Sequence, residues 1–108
     1  MKLYLASPYS SPNEATRQDR FESVCRKSAE LIQAGHVVFS PISHSHPIAF
    51  YMDNHNDSSF WVDQDLAFIP WCDEVWVCRI DGYLQSAGIR RETEEAKRLG
   101  KPVRFIEA

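Results

Sequence analysis

The sequence has no apolar run near the roughly 18 residues that a membrane-spanning helix requires. Its N-terminus, MKLYLASPYSSP, is too short for a signal peptide. It also lacks a basic excess: 12 lysines and arginines stand against 15 acids, for a net charge of −3. A nucleic-acid polymer is therefore not an expected partner, although a few local donors would suffice for a small anion. Cysteine is scarce. Cys25, Cys72 and Cys78 are odd in number and lack close metal spacing, which fits reduced thiols in a cytoplasmic protein, buried as small hydrophobes. Low-complexity tracts are absent. What remains is 108 residues, 44% hydrophobic and 25% charged. That is one domain, residues 1–108, long enough to bury about two-thirds of its unfolded surface without disulfides or metal.

Four short apolar runs read as strands: KLYLA (2–6), HVVFS (36–40), EVWVC (74–78) and PVRFI (102–106). Between the first two lies a helix, with Ser11 as its cap, Pro12 in its first turn and Gly35 at its end. Phe21, Val24, Cys25, Ser28, Leu31 and Ile32 form its inward stripe. SSFWVDQDLAFIPWC (58–72), capped by Ser58 or Ser59, reads as a second helix and 88–99 as a third. Residues 41–58 show no clear period and read as an irregular, functional segment, with a short helical turn near 48–52. This alternation predicts an α/β three-layer sandwich of the flavodoxin or Rossmann kind. Its parallel sheet would have four to five strands in the order 2-1-3-4. Ligands of such sheets sit beyond the carboxyl ends of the strands, at the switch in strand order. Here that rim consists of SPYSSP, SPISHSHP and RIDGYLQSAG.

On the third helix Ile89, Glu92, Ala96 and Leu99 share one face, and Glu92 is its single charge. A capping box would need its cap at residue 89, which is isoleucine. Glu94 and Glu95 already answer the helix dipole. Glu92 is thus aimed into the crevice. Asp65 lies between Trp61 and Phe68, at the edge of the second helix's stripe, whereas Asp63 and Asp73 read as solvated or capping. Two carboxylates meeting in one crevice is the arrangement used to cleave glycosidic bonds.

IDGYLQSAGIRRETEEA, LYLASPYS and DLAFIPWCDEVWV together resemble the nucleoside 2-deoxyribosyltransferase superfamily. The likeness spans most of the chain and keeps the order and spacing of three motifs. SPISHSHPI is similar to a stretch in short bacterial and phage members of unassigned activity. The resemblance implies that Glu92 is the nucleophile, that Asp65 assists departure of the base, and that Tyr4 orients the nucleophile. It also implies substrate contacts from Ser7, Pro8, Tyr9, Asp81, Ser86 and Gly88, with His44 and His46 on the second rim segment. Ser86 stands where transferases usually carry an aspartate for the sugar 5′-hydroxyl. Related deoxynucleoside-5′-monophosphate N-glycosidases have serine there, facing a phosphate. A hydroxyl and the amides around Gly88 suit a phosphate dianion, and Arg90 and Arg91 are further candidates. The expected partner is therefore a small nucleoside or nucleotide, with no organic cofactor. Family members assemble so that a neighbour completes the site, which implies a homo-oligomer. Pro8 and Pro12 replace the glycine usual in the first loop, and residues 41–58 match no segment of the transferases themselves. Tyr9, Phe50 and Tyr83 are candidate stacking surfaces for the base.

Two rival functions arise from the residues themselves. His44 and His46, with Asp53, His55 and Asp57, could ligate a metal and make the protein a metal-assisted hydrolase. The crevice could also serve a nucleotide-sensing module without chemistry, but a pure binder needs no nucleophile.

Overall fold

The computed structural model describes residues 1–52 and 58–108. KLYLA forms β1 (Lys2–Ala6), with its last four side chains buried. Its alternation sends Tyr4 and Ala6 into one core and Leu5 into the other. The remaining strands are β2 (Val37–Phe39), β3 (Glu74–Arg79) and β4 (Val103–Glu107). All pair in parallel: Lys2 lies opposite Val37, Tyr4 opposite Val75, and Val77 opposite Phe105. The order is β2-β1-β3-β4, as expected, with four strands.

Among the described residues four helices flank the sheet: α1 (Glu14–Gln33), α2 (Pro41–Ala49), α3 (Ser58–Leu66) and α4 (Ala87–Arg98). One core joins Tyr4, Val75 and Val77 to Ile89 and Ala96 of α4. The other joins Leu5 and Cys78 to Val24 of α1. The sheet is therefore sandwiched between helical layers. Strand order reverses between β1 and β3, so the loops leaving these two strands diverge and open a crevice.

Several expectations need correction. Helix α1 starts later than expected: Asn13, not Ser11, is its cap, accepting from the Thr16 N–H at 3.1 Å. Ser11 instead accepts from the Asn13 N–H. Ile32 is 54% exposed, because the stripe is completed by Leu31. Residues 41–49 are helical, not irregular. Ser40 accepts from the Ser43 N–H at 3.3 Å, and Pro41 occupies the first turn, where its missing N–H costs nothing. The buried positions of α2 are Pro41, Ser45, His46 and Ala49, a half-polar inner face whose Ser and His interrupt the hydrophobic period. The run 58–72 is divided. Helix α3 ends at Leu66, and a single 3-10 turn (Ile69–Trp71) encloses Pro70. Cys72 and Cys78 are buried thiols, but Cys25 is half-buried, 3.3 Å from the Ser43 hydroxyl. Among the described residues no helix is long and apolar enough to cross a membrane.

Candidate active site

The crevice between the β1 and β3 loops is a cleft of about 660 Å³, within the usual range for small-molecule sites. The β1 loop contributes Ser7, Pro8 and Tyr9. The approach to α4 contributes Gly82 and Ser86, the first turn of α4 contributes Gly88, and α3 contributes Trp61, Val62 and Asp65. Glu92 reaches the same cleft from α4.

Glu92 sits on the inward stripe of α4 between Ile89 and Ala96 and is only 4% exposed. The Tyr4 hydroxyl donates to its Oε2. Tyr4 itself is wholly buried on β1 and packs against Phe39 at 5.7 Å between ring centroids, so the core fixes the phenol that meets the carboxylate. Burial and the Glu92 charge push the Tyr4 hydroxyl far above the usual phenol range, so it stays a neutral donor. Burial pushes Glu92 up to about 8; the Tyr4 hydrogen bond opposes the rise and the neighbouring Asp65 charge adds to it. Asp65, 4% exposed, is pushed up to about 7 by burial. The two carboxylates feel each other's charge and titrate as a pair. Between about pH 7 and 8 such a pair holds one proton, and the higher value places it mainly on Glu92. Asp65 Oδ1 and Ser7 Oγ are buried without a hydrogen-bond partner among the described residues. Buried polar atoms are nearly always paired, so two orphans lining one cleft are poised for ligand groups.

Ser86 is the N-cap of α4; its Oγ accepts from the Ile89 N–H at 3.1 Å. Capping uses an oxygen lone pair and leaves the hydroxyl proton free to donate toward the cleft. The first amides of α4 add their own donors there.

The remaining expected residues divide. Asp81 is exposed and lies outside the cleft lining, where its neighbour Gly82 stands instead. His44 is exposed and contacts Phe39, away from the cleft. His46 is buried one layer behind the cleft wall, with both ring nitrogens hydrogen-bonded within the protein. Arg91 lines the cleft while pairing with Asp63 at 2.7 Å, and Arg90 does not reach it. Of the candidate stacking rings, Tyr9 alone lines the main cleft. Asp53, His55 and Asp57 lie outside the described residues. Among those described, no group of three or more His, Cys, Asp or Glu side chains could hold a metal ion.

Arg17 and Arg20, which sequence reasoning missed, also line the cleft from the first turns of α1. Arg20 donates to the Ser10 carbonyl at 2.9 Å, and Arg17 donates to the Ser11 carbonyl at 2.5 Å, so the pair braces the β1 loop. Arg20 also fills the space beside Gly82. A Cβ added there would come within 2.3 Å of its Nη2, at a backbone φ of +99°. Gly82→Ala is therefore expected to cost about 1–3 kcal/mol through backbone strain. Thermal unfolding would register a fall in Tm of at least about 4 °C.

A solved structure of the 2-deoxyribosyltransferase of the psychrotolerant bacterium Bacillus psychrosaccharolyticus is similar over 99% of this chain and 72% of that one, at 27% identity and a TM-score of 0.69. No curated protein matches the chain. The family model described as "Domain of unknown function (DUF1937)" matches residues 1–108, the whole length, and the chain belongs to that family.

Proposed function

We propose that this chain cleaves the bond between base and sugar in a 2′-deoxynucleoside 5′-monophosphate, or in the nucleoside, through a covalent glycosyl-Glu92 intermediate. The observation that carries the reading is the pair of buried, charge-coupled carboxylates, Glu92 and Asp65, facing one cleft, with Tyr4 bound to the first. Likeness to a 2-deoxyribosyltransferase supports it.

Tyr4 holds Oε2, leaving Oε1 as the attacking atom. Oε1 forms a bond to C1′ as the glycosidic bond breaks, and the bonding pair departs with the base nitrogen. In the reactive tautomer Glu92 is ionised and Asp65 carries the pair's proton, which it supplies to the leaving base. Water or an acceptor base then attacks C1′, gives up its proton to Asp65 and releases Glu92. Ser86 and the first amides of α4 hold the 5′ end.

A panel of 2′-deoxynucleoside monophosphates and deoxynucleosides, assayed for free base, tests the proposal. At least one pair should yield base, with the monophosphate preferred. Ser86→Asp sharpens the test because aspartate caps a helix as well as serine does. The fold should be kept while a carboxylate faces the phosphate. KM for the monophosphate is expected to rise about 10- to 100-fold, with little change for the nucleoside. Failure of every substrate in the panel would overturn the proposal.

A further inference from the structure

A directed chain of hydrogen bonds runs behind the cleft wall. His46 is 7% exposed, its ring stacked on Phe21 at 4.1 Å between centroids, with Phe50 edge-on at 5.2 Å. Gln18 sets the direction. Its amide nitrogen donates to Glu22 Oε2 at 2.8 Å, so the atom 3.1 Å from His46 Nε2 is the amide oxygen, which can only accept. Nε2 therefore carries the ring proton and Nδ1 a lone pair. The Tyr9 hydroxyl, 2.7 Å from Nδ1, must donate. The chain runs Tyr9 to His46 to Gln18 to Glu22 and leaves no ring nitrogen for a ligand.

Tyr9 lines two spaces: the main cleft, and a second cavity of about 140 Å³ bounded also by Glu14, Arg17, Gln18 and Phe50. Arg17 lines both as well, so Tyr9 and Arg17 together stand between them. We infer that His46 is a positioning residue, locking Tyr9 as the cleft wall and committing the Tyr9 hydroxyl proton away from the ligand. Only the choice of ligand in the test rests on the proposed nucleotide chemistry; the lock itself does not.

The lock requires a neutral imidazole, since a protonated Nδ1 would face the Tyr9 hydroxyl donor to donor and force it to turn. Burial, and then the Arg17 charge, lower the His46 pKa below its ordinary value and so favour the neutral ring. The other charged groups around the chain are Glu14, which lines the second cavity, and Glu22, which ends the chain. His44, the neighbouring histidine of α2, contacts Phe39 instead.

The test has two arms on the full chain. Ring-nitrogen NMR is expected to find His46 as the Nε2–H tautomer, with the Nδ1 resonance moved by Tyr9→Phe. The opposite tautomer, or an Nδ1 signal indifferent to Tyr9→Phe, overturns the inference whatever the protein's activity. The second arm measures deoxynucleoside monophosphate affinity by calorimetry in a Glu92→Gln background. His46→Leu and Tyr9→Phe should each weaken binding about 3- to 10-fold, the double variant no further, and His46→Asn, which restores an acceptor near the Nδ1 position, should recover most of the loss. Additive losses, or no rescue by asparagine, overturn it as well. If no nucleotide binds, the functional proposal fails and the NMR arm alone decides the lock.

Discussion

Glu92→Gln is expected to abolish base release, by at least about a thousandfold, and at the same time to make the protein more stable at pH 8. The first effect follows from chemistry: an amide cannot form the glycosyl ester, and loss of a nucleophile removes the whole covalent route. The second follows from linkage. Burial raises the folded-state pKa of Glu92 to about 8, from an ordinary value of 4.5. A raised carboxylate contributes stability that is fully present below its unfolded pKa and is lost as pH rises through the folded one. Glutamine has no proton to lose, keeps an oxygen that can accept from Tyr4, and escapes that loss. The stability gain should therefore be near zero at pH 4.5, grow through neutrality and level off above pH 8. A tenfold change in a proton-binding equilibrium corresponds to about 1.4 kcal/mol, so a gain of at least about 1 kcal/mol, or 4–8 °C in Tm, is expected at pH 8. Thermal melts of both proteins from pH 4.5 to 9, beside a base-release assay, check the pair of effects. Retained activity would remove the nucleophile assignment; an equal Tm at pH 8 would mean that Glu92 is solvated. Stability gained as activity is lost is the behaviour of a group placed for function.

Glu92 was legible in the sequence because it breaks a pattern: three apolar residues at helical spacing with one acid among them. The strand order was legible because buried parallel strands joined by right-handed crossovers leave few arrangements, whereas Tyr4 was named only through the family resemblance. Asp65 was only half legible, because the edge of a helix stripe is where burial and solvent meet and spacing alone does not decide between them. Helix α2 was hidden because its inner face is built from Ser45 and His46, whose burial is supported by hydrogen bonds and ring contacts that have no period. Arg17 and Arg20 were hidden for the opposite reason. They look like any solvated pair on α1, and only the path of the β1 loop turns their guanidinium groups onto its carbonyls. His46 was noticed for its chemistry but misplaced, since its residue type carries no sign that Tyr9 and Gln18 would occupy both nitrogens.

Base release is expected to follow a bell-shaped pH profile with its maximum between about 7 and 8, the values to which burial raises Asp65 and Glu92. The singly protonated pair is the working form. As pH falls below about 7 both carboxyls are protonated and no nucleophile remains; as it rises above about 8 both are ionised and no proton donor remains. The higher value of Glu92 keeps the shared proton mainly there in the free protein, and the Tyr4 hydrogen bond, which favours the charge on Glu92, draws the pair toward the reactive tautomer with the proton on Asp65. Asp65→Asn should then lower kcat by about 10²- to 10⁴-fold and leave only the acid limb, moved upward from about 7, because that value belongs to Asp65 and the remaining Glu92, relieved of the Asp65 charge, titrates between it and about 8. A substrate whose base is already cationic needs no proton to leave, and its cleavage should be far less sensitive to this substitution. A free phosphate also titrates near pH 6, so kcat/KM is to be measured with nucleoside and monophosphate alike. Only limbs common to both belong to the carboxylate pair. A flat profile from pH 5 to 9, or an alkaline limb that survives Asp65→Asn, would detach Asp65 from the reaction and leave Glu92 without a proton donor for the departing base.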